Sequence, residues 1–212
     1  MSNARLRIDL EKIVHNTRQV LAISHQHGIR IMGVTKGAAG LPEVAKAMLA
    51  GGIETLGDSR LDNIARLRAA GIQTHTTLLR SPGPSDTGRT IELADASLNS
   101  DMEIVEALSI EARMQRKIHG VILMVDLQTG REGLPPDQLV AACRKLRSLP
   151  GILFQGIGAY FHMASDSKHH IPGLQIFASL ANQVKKELGK LPTILSGGSS
   201  NILRTLAVEG HP

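Results

Sequence analysis

Along this chain, short apolar runs alternate with longer stretches whose apolar residues recur at helical spacing. From Asp9 to about Gln26, the positions of Leu10, Ile13, Val20 and Leu21 predict a helix. Ile31 to Lys36 then reads as a short buried strand. Pro42 to Ala50 is a helix, with proline suited to its first turn and Gly51-Gly52 to its end. Ile53 to Gly57 is a second strand, and Leu61 to Ala70 a helix closed by Gly71. Thr74 to Leu79 is a third strand, followed by a turn at Ser81-Pro-Gly-Pro and a short helix from Asp86 to Leu93. After a fourth strand from Asp95 to Leu98, Ser100 with Glu103 reads as the N-cap of a helix from Asp101 to about Met114. Gly120 to Leu127 is the clearest strand of all. A helix from Pro135 to Arg147, a strand from Ile152 to Phe161, a helix from Pro172 to Leu188 and a strand from Thr193 to Leu195 complete the series.

A βα unit repeated in this way is the rhythm of a parallel sheet. No G-x-G-x-x-G opens the first βα turn, which argues against a dinucleotide-binding fold. The pattern, with no internal linker, points to a (β/α)₈ barrel that occupies residues 1–212 as one domain and lacks its last strand. The helix at the front would close the ring where an eighth helix normally lies. The competing architecture is an open sheet of the same strands.

Composition narrows the function. Hydrophobic residues make up 42% and charged residues 20%, an ordinary globular balance. No apolar run is long enough for a bilayer, and the first residues carry no apolar signal segment. The one cysteine, Cys143, forms no intrachain disulfide and reads as a buried thiol on a helix. A reducing, cytoplasmic setting is expected. The formal charge of +5 is spread along helices, and with three Phe and one Tyr there is no stacking platform for bases. Nucleic acid is therefore not the expected partner, whereas a modest positive excess suits a phosphorylated anion.

The polar candidates collect at the C-terminal ends of the predicted strands, where barrel enzymes keep their chemistry. They are Lys36, Asp58-Ser59, Arg80, Asn99-Ser100, Asp126 with Arg131, His162, and Ser196 to Asn201. Strand parity puts Met32, Val34 and Lys36 on one face. If that face is interior, desolvation would lower the amine's pKa and make it a nucleophile toward a carbonyl; otherwise it is a lysine that snorkels into solvent. Ser196, Gly197, Gly198, Ser199 and Ser200 lie between a strand and a helical pattern, either as an oxyanion cradle or as a plain tight turn. His162 shares a face with Tyr160, Gly158 and Gly156, either to meet a ligand or as a satisfied core histidine. Arg131 could hold an oxygen anion, or pair with Glu132 or Asp137. His169-His170 have no spaced acidic or cysteine partners, so no metal site is expected.

Taken together, these residues resemble the alanine-racemase-like (fold type III) pyridoxal-phosphate family. The carriers are Leu6 to Asn16, Gly33-Val-Thr-Lys36, Asp58-Ser-Arg60, Ser97-Leu-Asn-Ser100, Val121 to Asp126, Arg131-Glu-Gly133 and Ser196-Gly-Gly198. The resemblance covers nearly the whole chain and is nearest the amino-acid racemase branch that includes ornithine racemases. It implies a racemase that works through an aldimine and an α-carbanion, with pyridoxal 5'-phosphate held by Lys36. His162 would stack on the ring, Arg131 would contact its phenolic oxygen, and Ser196, Gly197, Gly198, Ser199 and Ser200 would cradle the phosphate. The partner would be a small-molecule amino-acid substrate, and family members of this kind are often homodimers.

Two departures stand against the pattern. The family's last barrel strand and C-terminal β domain are not seen in the sequence. The tyrosine that serves as second base in alanine racemase belongs to that domain, and Tyr160 lies elsewhere. The alternative is therefore a non-catalytic cofactor carrier, as in the barrel-only pyridoxal-phosphate homeostasis proteins. A cofactor-free Schiff-base aldolase built on Lys36 is a third reading. A substrate with a terminal ammonium would need an acid, for which Asp58, Asp166 and Glu132 are the candidates.

Overall fold

A computed structural model of the chain describes residues 6–127, 130–161, 167–197 and 200. Helix α1 (Leu10–Gln26) precedes β1 (Gly33–Val34), α2 (Pro42–Ala50), β2 (Leu56–Asp58) and α3 (Leu61–Ala69). Then come β3 (Thr76–Leu78), α4 (Thr87–Leu93), β4 (Ala96–Asn99) and α5 (Met102–Met114). The series ends with β5 (His119–Val125), α6 (Leu139–Arg147), β6 (Ile152–Ala159), α7 (Ser167–Leu188) and β7 (Ile194–Ser196). Among the described residues, no helix is long and apolar enough to cross a membrane.

The strands pair in parallel in the order β1-β2-β3-β4-β5-β6-β7. A doubly wound sheet reverses direction and puts its first strand inside; here β1 stands at the end, so the sheet is wound once, as in a barrel.

Helix starts follow local chemistry. The Asp9 carboxylate accepts from Lys12 N at 3.1 Å and opens α1. Asp101, not Ser100, caps α5: its carboxylate accepts from Glu103 N at 2.8 Å. The Ser100 amide is already committed, donating to Ser81 Oγ at 3.0 Å. Helix α7 begins earlier than expected, so Pro172 lies inside it rather than in its first turn.

Alternation along the strands separates two faces. Outward, Val121, Leu123, Val125, Ile157 and Ala159 join Leu139, Leu146, Phe177 and Val184 of the helices in the main core. Inward, Leu98, Ile122 and Met124 pack with Leu79, Tyr160 and Ile194. Every residue of β5 is buried, which is why it reads as one apolar run. The β5–β6 register shifts at Val121/Ile122, so Gln155 is an extra residue opposite them. Glycines on the inner face admit neighbouring side chains: a Cβ at Gly158 would lie 2.7 Å from Met124 Sδ, and one at Gly120 only 2.3 Å from Gln155 Nε2. The interior is thus packed, not a pore.

The N-terminal ends of the strands hold structural polar groups. Arg68 pairs with Asp95 at 2.8 Å, and the same carboxylate accepts from Thr76 N at 2.7 Å. His119 is sealed between Ser97 Oγ at 2.8 Å and the Ala94 carbonyl at 3.2 Å.

Candidate functional site

Strand β1 is shorter than the sequence suggests. Thr35 leaves extended geometry (φ −93°, ψ −9°), and Lys36–Ala38 form a 3₁₀ turn. Lys36 therefore sits on a turn just past the strand and is exposed rather than enclosed in apolar layers. Val34, on the same face, is 38% exposed, so this end of the inner face is open. The Lys36 amine makes no ion pair with a described residue.

Asp58 does not face the mouth. It follows Leu56 on the outer face, is fully buried, and accepts from Thr35 Oγ1 at 2.7 Å, Arg60 N at 2.9 Å and Asn63 Nδ2 at 2.9 Å. That placement removes it as a substrate-facing acid. Arg80 is exposed, and Asn99 is buried with its amide donating to Ser97.

The structure brings Arg131, Glu132 and Tyr160 together. After β5 the chain folds back on itself: Leu134 N donates to the Met124 carbonyl at 2.8 Å, and Asp126 N to the Leu134 carbonyl at 3.0 Å. Gly133 permits this closure, because a Cβ there would lie 2.3 Å from Asp126 N. The Arg131 guanidinium lies 4.4 Å from the centre of the Tyr160 ring, and the Tyr160 hydroxyl donates to Glu132 Oε1 at 3.3 Å. Arg131 is thus fixed on an aromatic face instead of paired with Glu132 or Asp137. Burial first, and then the Glu132 carboxylate, pushes the Tyr160 phenol above its ordinary pKa, against the opposing pull of Arg131. Strand parity placed Tyr160 on the inner face, but this three-residue cluster was missed. The Arg-Glu-Gly string was its signal, since Gly133 marks a close backbone approach.

On the last strand, Ser196 pairs in register with Gly158, and a Cβ at Gly158 would lie 3.4 Å from Ser196 Cβ. A Cβ at Gly197 would lie 3.0 Å from the Phe161 ring, a tight contact that the ring would have to yield to. Ser200 is exposed. Three of the expected site residues, His162, Gly198 and Ser199, lie outside the described residues, as does Asp166.

A parallel sheet wound once, with an exposed lysine, a fixed arginine and a strand-end serine at the C-terminal ends of its strands, is the architecture of a (β/α)₈-type domain. The chain belongs to the alanine racemase family, N-terminal domain, whose pattern matches residues 8–210. It is similar to the lysine racemase of Thermotoga maritima, at 30% identity over 95% of this chain and 56% of that protein. The ornithine racemase of Acetoanaerobium sticklandii is 26% identical over 93% of this chain and 56% of that protein. Among solved structures, an alanine racemase from Streptomyces lavendulae superposes with a TM-score of 0.83 at 25% identity, over 96% of this chain and 56% of that one. The chain thus spans about half the length of the curated relatives it matches.

Proposed function

We propose that this chain is the cofactor-binding barrel of a pyridoxal-phosphate-dependent amino-acid racemase, with Lys36 as the residue that holds the cofactor. The observation that carries the reading is Lys36 itself, an exposed primary amine at the C-terminal end of β1 in a chain of the alanine racemase family. The donor set fits a phosphorylated aldehyde: an amine for the aldehyde, a guanidinium for a ring oxygen, and the Ser196 hydroxyl beside Gly197 for the phosphate. In this reading Arg131 meets the ring oxygen, Ser196, Gly197, Gly198, Ser199 and Ser200 hold the phosphate, and His162 stacks on the ring.

Pyridoxal phosphate, when bound, supplies a conjugated system that accepts the electrons left behind by a departing α-proton. Lys36 Nζ takes and returns that proton on one face of the substrate. Arg131, stacked on Tyr160, would offer its guanidinium to the ring oxygen. Glu132 is the acid that Tyr160 holds at the mouth, and it suits a substrate with a terminal ammonium, as lysine and ornithine have.

The test is the visible absorption of the chain purified with pyridoxal phosphate, before and after borohydride, with Lys36→Ala alongside. The expected result is a band that borohydride abolishes, cofactor fixed to the peptide containing Lys36, and neither in the variant. A wild-type chain that takes up no cofactor would overturn the reading. Chiral chromatography with lysine, ornithine and alanine then separates racemase from carrier: attached cofactor without interconversion identifies a carrier.

A further inference from the structure

The carboxylate of Asp58 is fully buried, and no cation pairs with it among the described residues. Such a group is tolerated only when its lone pairs are occupied by well-placed donors. Here the donors come from three places: the Thr35 hydroxyl after β1, the Arg60 amide at the start of α3, and the Asn63 side chain one turn into α3. One carboxylate therefore ties the end of β1 to the end of β2 and the first turn of α3.

The residue it grips is the one before Lys36. Thr35 also donates its amide to the Gly57 carbonyl at 3.0 Å, while its own carbonyl accepts from Ala38 N at 3.0 Å and Gly40 N at 3.2 Å. Both faces of the Lys36 turn are thus referred to Thr35, and Thr35 is referred to Asp58. On the far side, Arg66 donates to the Ala39 carbonyl, and Gly40 packs directly on Asn63.

We propose that Asp58 is a positioning residue that acts through Thr35 to fix the turn presenting Lys36 at the mouth. The inference rests on the functional reading of Lys36 but is argued from this chain's own contacts. A flexible lysine side chain gains selectivity as a nucleophile only if its backbone origin is held, and a buried charge with short hydrogen bonds holds it more firmly than an apolar contact would.

The experiment compares Thr35→Val, which removes the hydroxyl and orphans one Asp58 oxygen, with Thr35→Ser, which retains it. Leu146→Ala, a core truncation in α6 far along the chain, controls for loss of stability alone. Three quantities are read on the full chain: the Kd for pyridoxal phosphate, hydrogen-exchange protection of the Ala38 and Gly40 amides, and amine-reagent labelling of Lys36 relative to exposed Lys46. Thr35→Val is expected to raise the Kd about tenfold, the equivalent of one lost buried hydrogen bond, to lose both amide protections and to change the labelling ratio. Thr35→Ser and Leu146→Ala should match the wild type in all three. Unchanged protection and labelling in Thr35→Val, or the same losses in Leu146→Ala, would overturn the proposal. If the wild type takes up no cofactor, the functional reading fails, and the protection and labelling results still decide on the clamp.

Discussion

Ala39 and Gly40, which follow the Lys36 turn, both adopt left-handed backbone, with φ of 51° and 64°. For a residue with a Cβ that conformation costs about 1–2 kcal/mol, so Ala39 marks a turn held in shape by its surroundings, while Gly40, with no Cβ, adopts it freely. The holding groups are Arg66 on the Ala39 carbonyl and Asn63 against Gly40. A Cβ at Gly40 would lie 2.6 Å from Asn63 Cβ and 2.9 Å from its Cα, so backbone as well as side chain would have to move. Gly40→Ala should therefore cost about 2–4 kcal/mol, from the backbone penalty and the overpacking together. Urea denaturation would show it as a lowered midpoint; a midpoint within error of the wild type would mean that the turn yields freely. By contrast Gly71→Ala, also at positive φ (79°) but with open space around the missing side chain, should show the backbone penalty alone.

At the scale of elements, helices were easier to read from the sequence than strands, for a physical reason. Helix ends are set by local chemistry, and the helix from Pro42 to Ala50 begins and ends as its proline and glycines dictate. Strand ends are set by pairing with a neighbour, which one sequence does not display. The expected strand from Ile31 to Lys36 therefore shrinks to Gly33–Val34, and Lys36 passes onto a turn. The edge position of the lysine was legible, because it depends only on where the apolar run stops. The outward burial of Asp58 was not, since the residue looks like any acid at a strand end until Thr35 and Asn63 are seen around it. Nor was the stacking of Arg131 on Tyr160, which needs the loop after β5 to fold back. Helix α6 ends at Arg147 as expected but begins at Leu139 rather than Pro135, after a 3₁₀ turn over Pro136–Gln138, and Cys143 is buried in it as expected. It sits among Leu139 and Leu146 of its own helix and Val105, Val121 and Leu123 opposite, and burial pushes its thiol up to about 12. Its reaction with a neutral disulfide reagent at pH 8 should be at least about a thousandfold slower in the folded chain than in denaturant, since attack must wait for opening of the core. A comparable rate in both states would mean that α6 detaches readily from the sheet.

At the scale of the whole molecule, the exposed candidate groups and the His119 contacts lie at opposite ends of the strands. The exposed lysine and the arginine on Tyr160 stand at the C-terminal ends, while the Arg68–Asp95 pair and the sealed His119 lie at the N-terminal ends. His119 joins β4 to β5 there: one ring nitrogen faces the Ala94 carbonyl and the other Ser97 Oγ. Donation to the carbonyl and acceptance from the hydroxyl satisfy the neutral ring, whereas a cation would need a second acceptor. Burial is the main force that lowers its pKa from 6.5 to about 4. Above pH 6.5 the ring is neutral in both folded and unfolded chains and contributes no pH dependence. As the pH falls from 6.5 toward 4, the unfolded chain takes up a proton that the folded chain refuses, so stability declines and levels off below 4. The loss from this residue between pH 7.5 and pH 5 is about 2 kcal/mol. The informative quantity is a difference: urea denaturation of wild type and His119→Gln at both pH values. Glutamine can still donate to Ala94 and accept from Ser97 but does not ionise. The variant should lose less stability than the wild type on acidification, by about that 2 kcal/mol. Equal losses would place the acid sensitivity elsewhere and mean that the β4–β5 seam admits a charged ring.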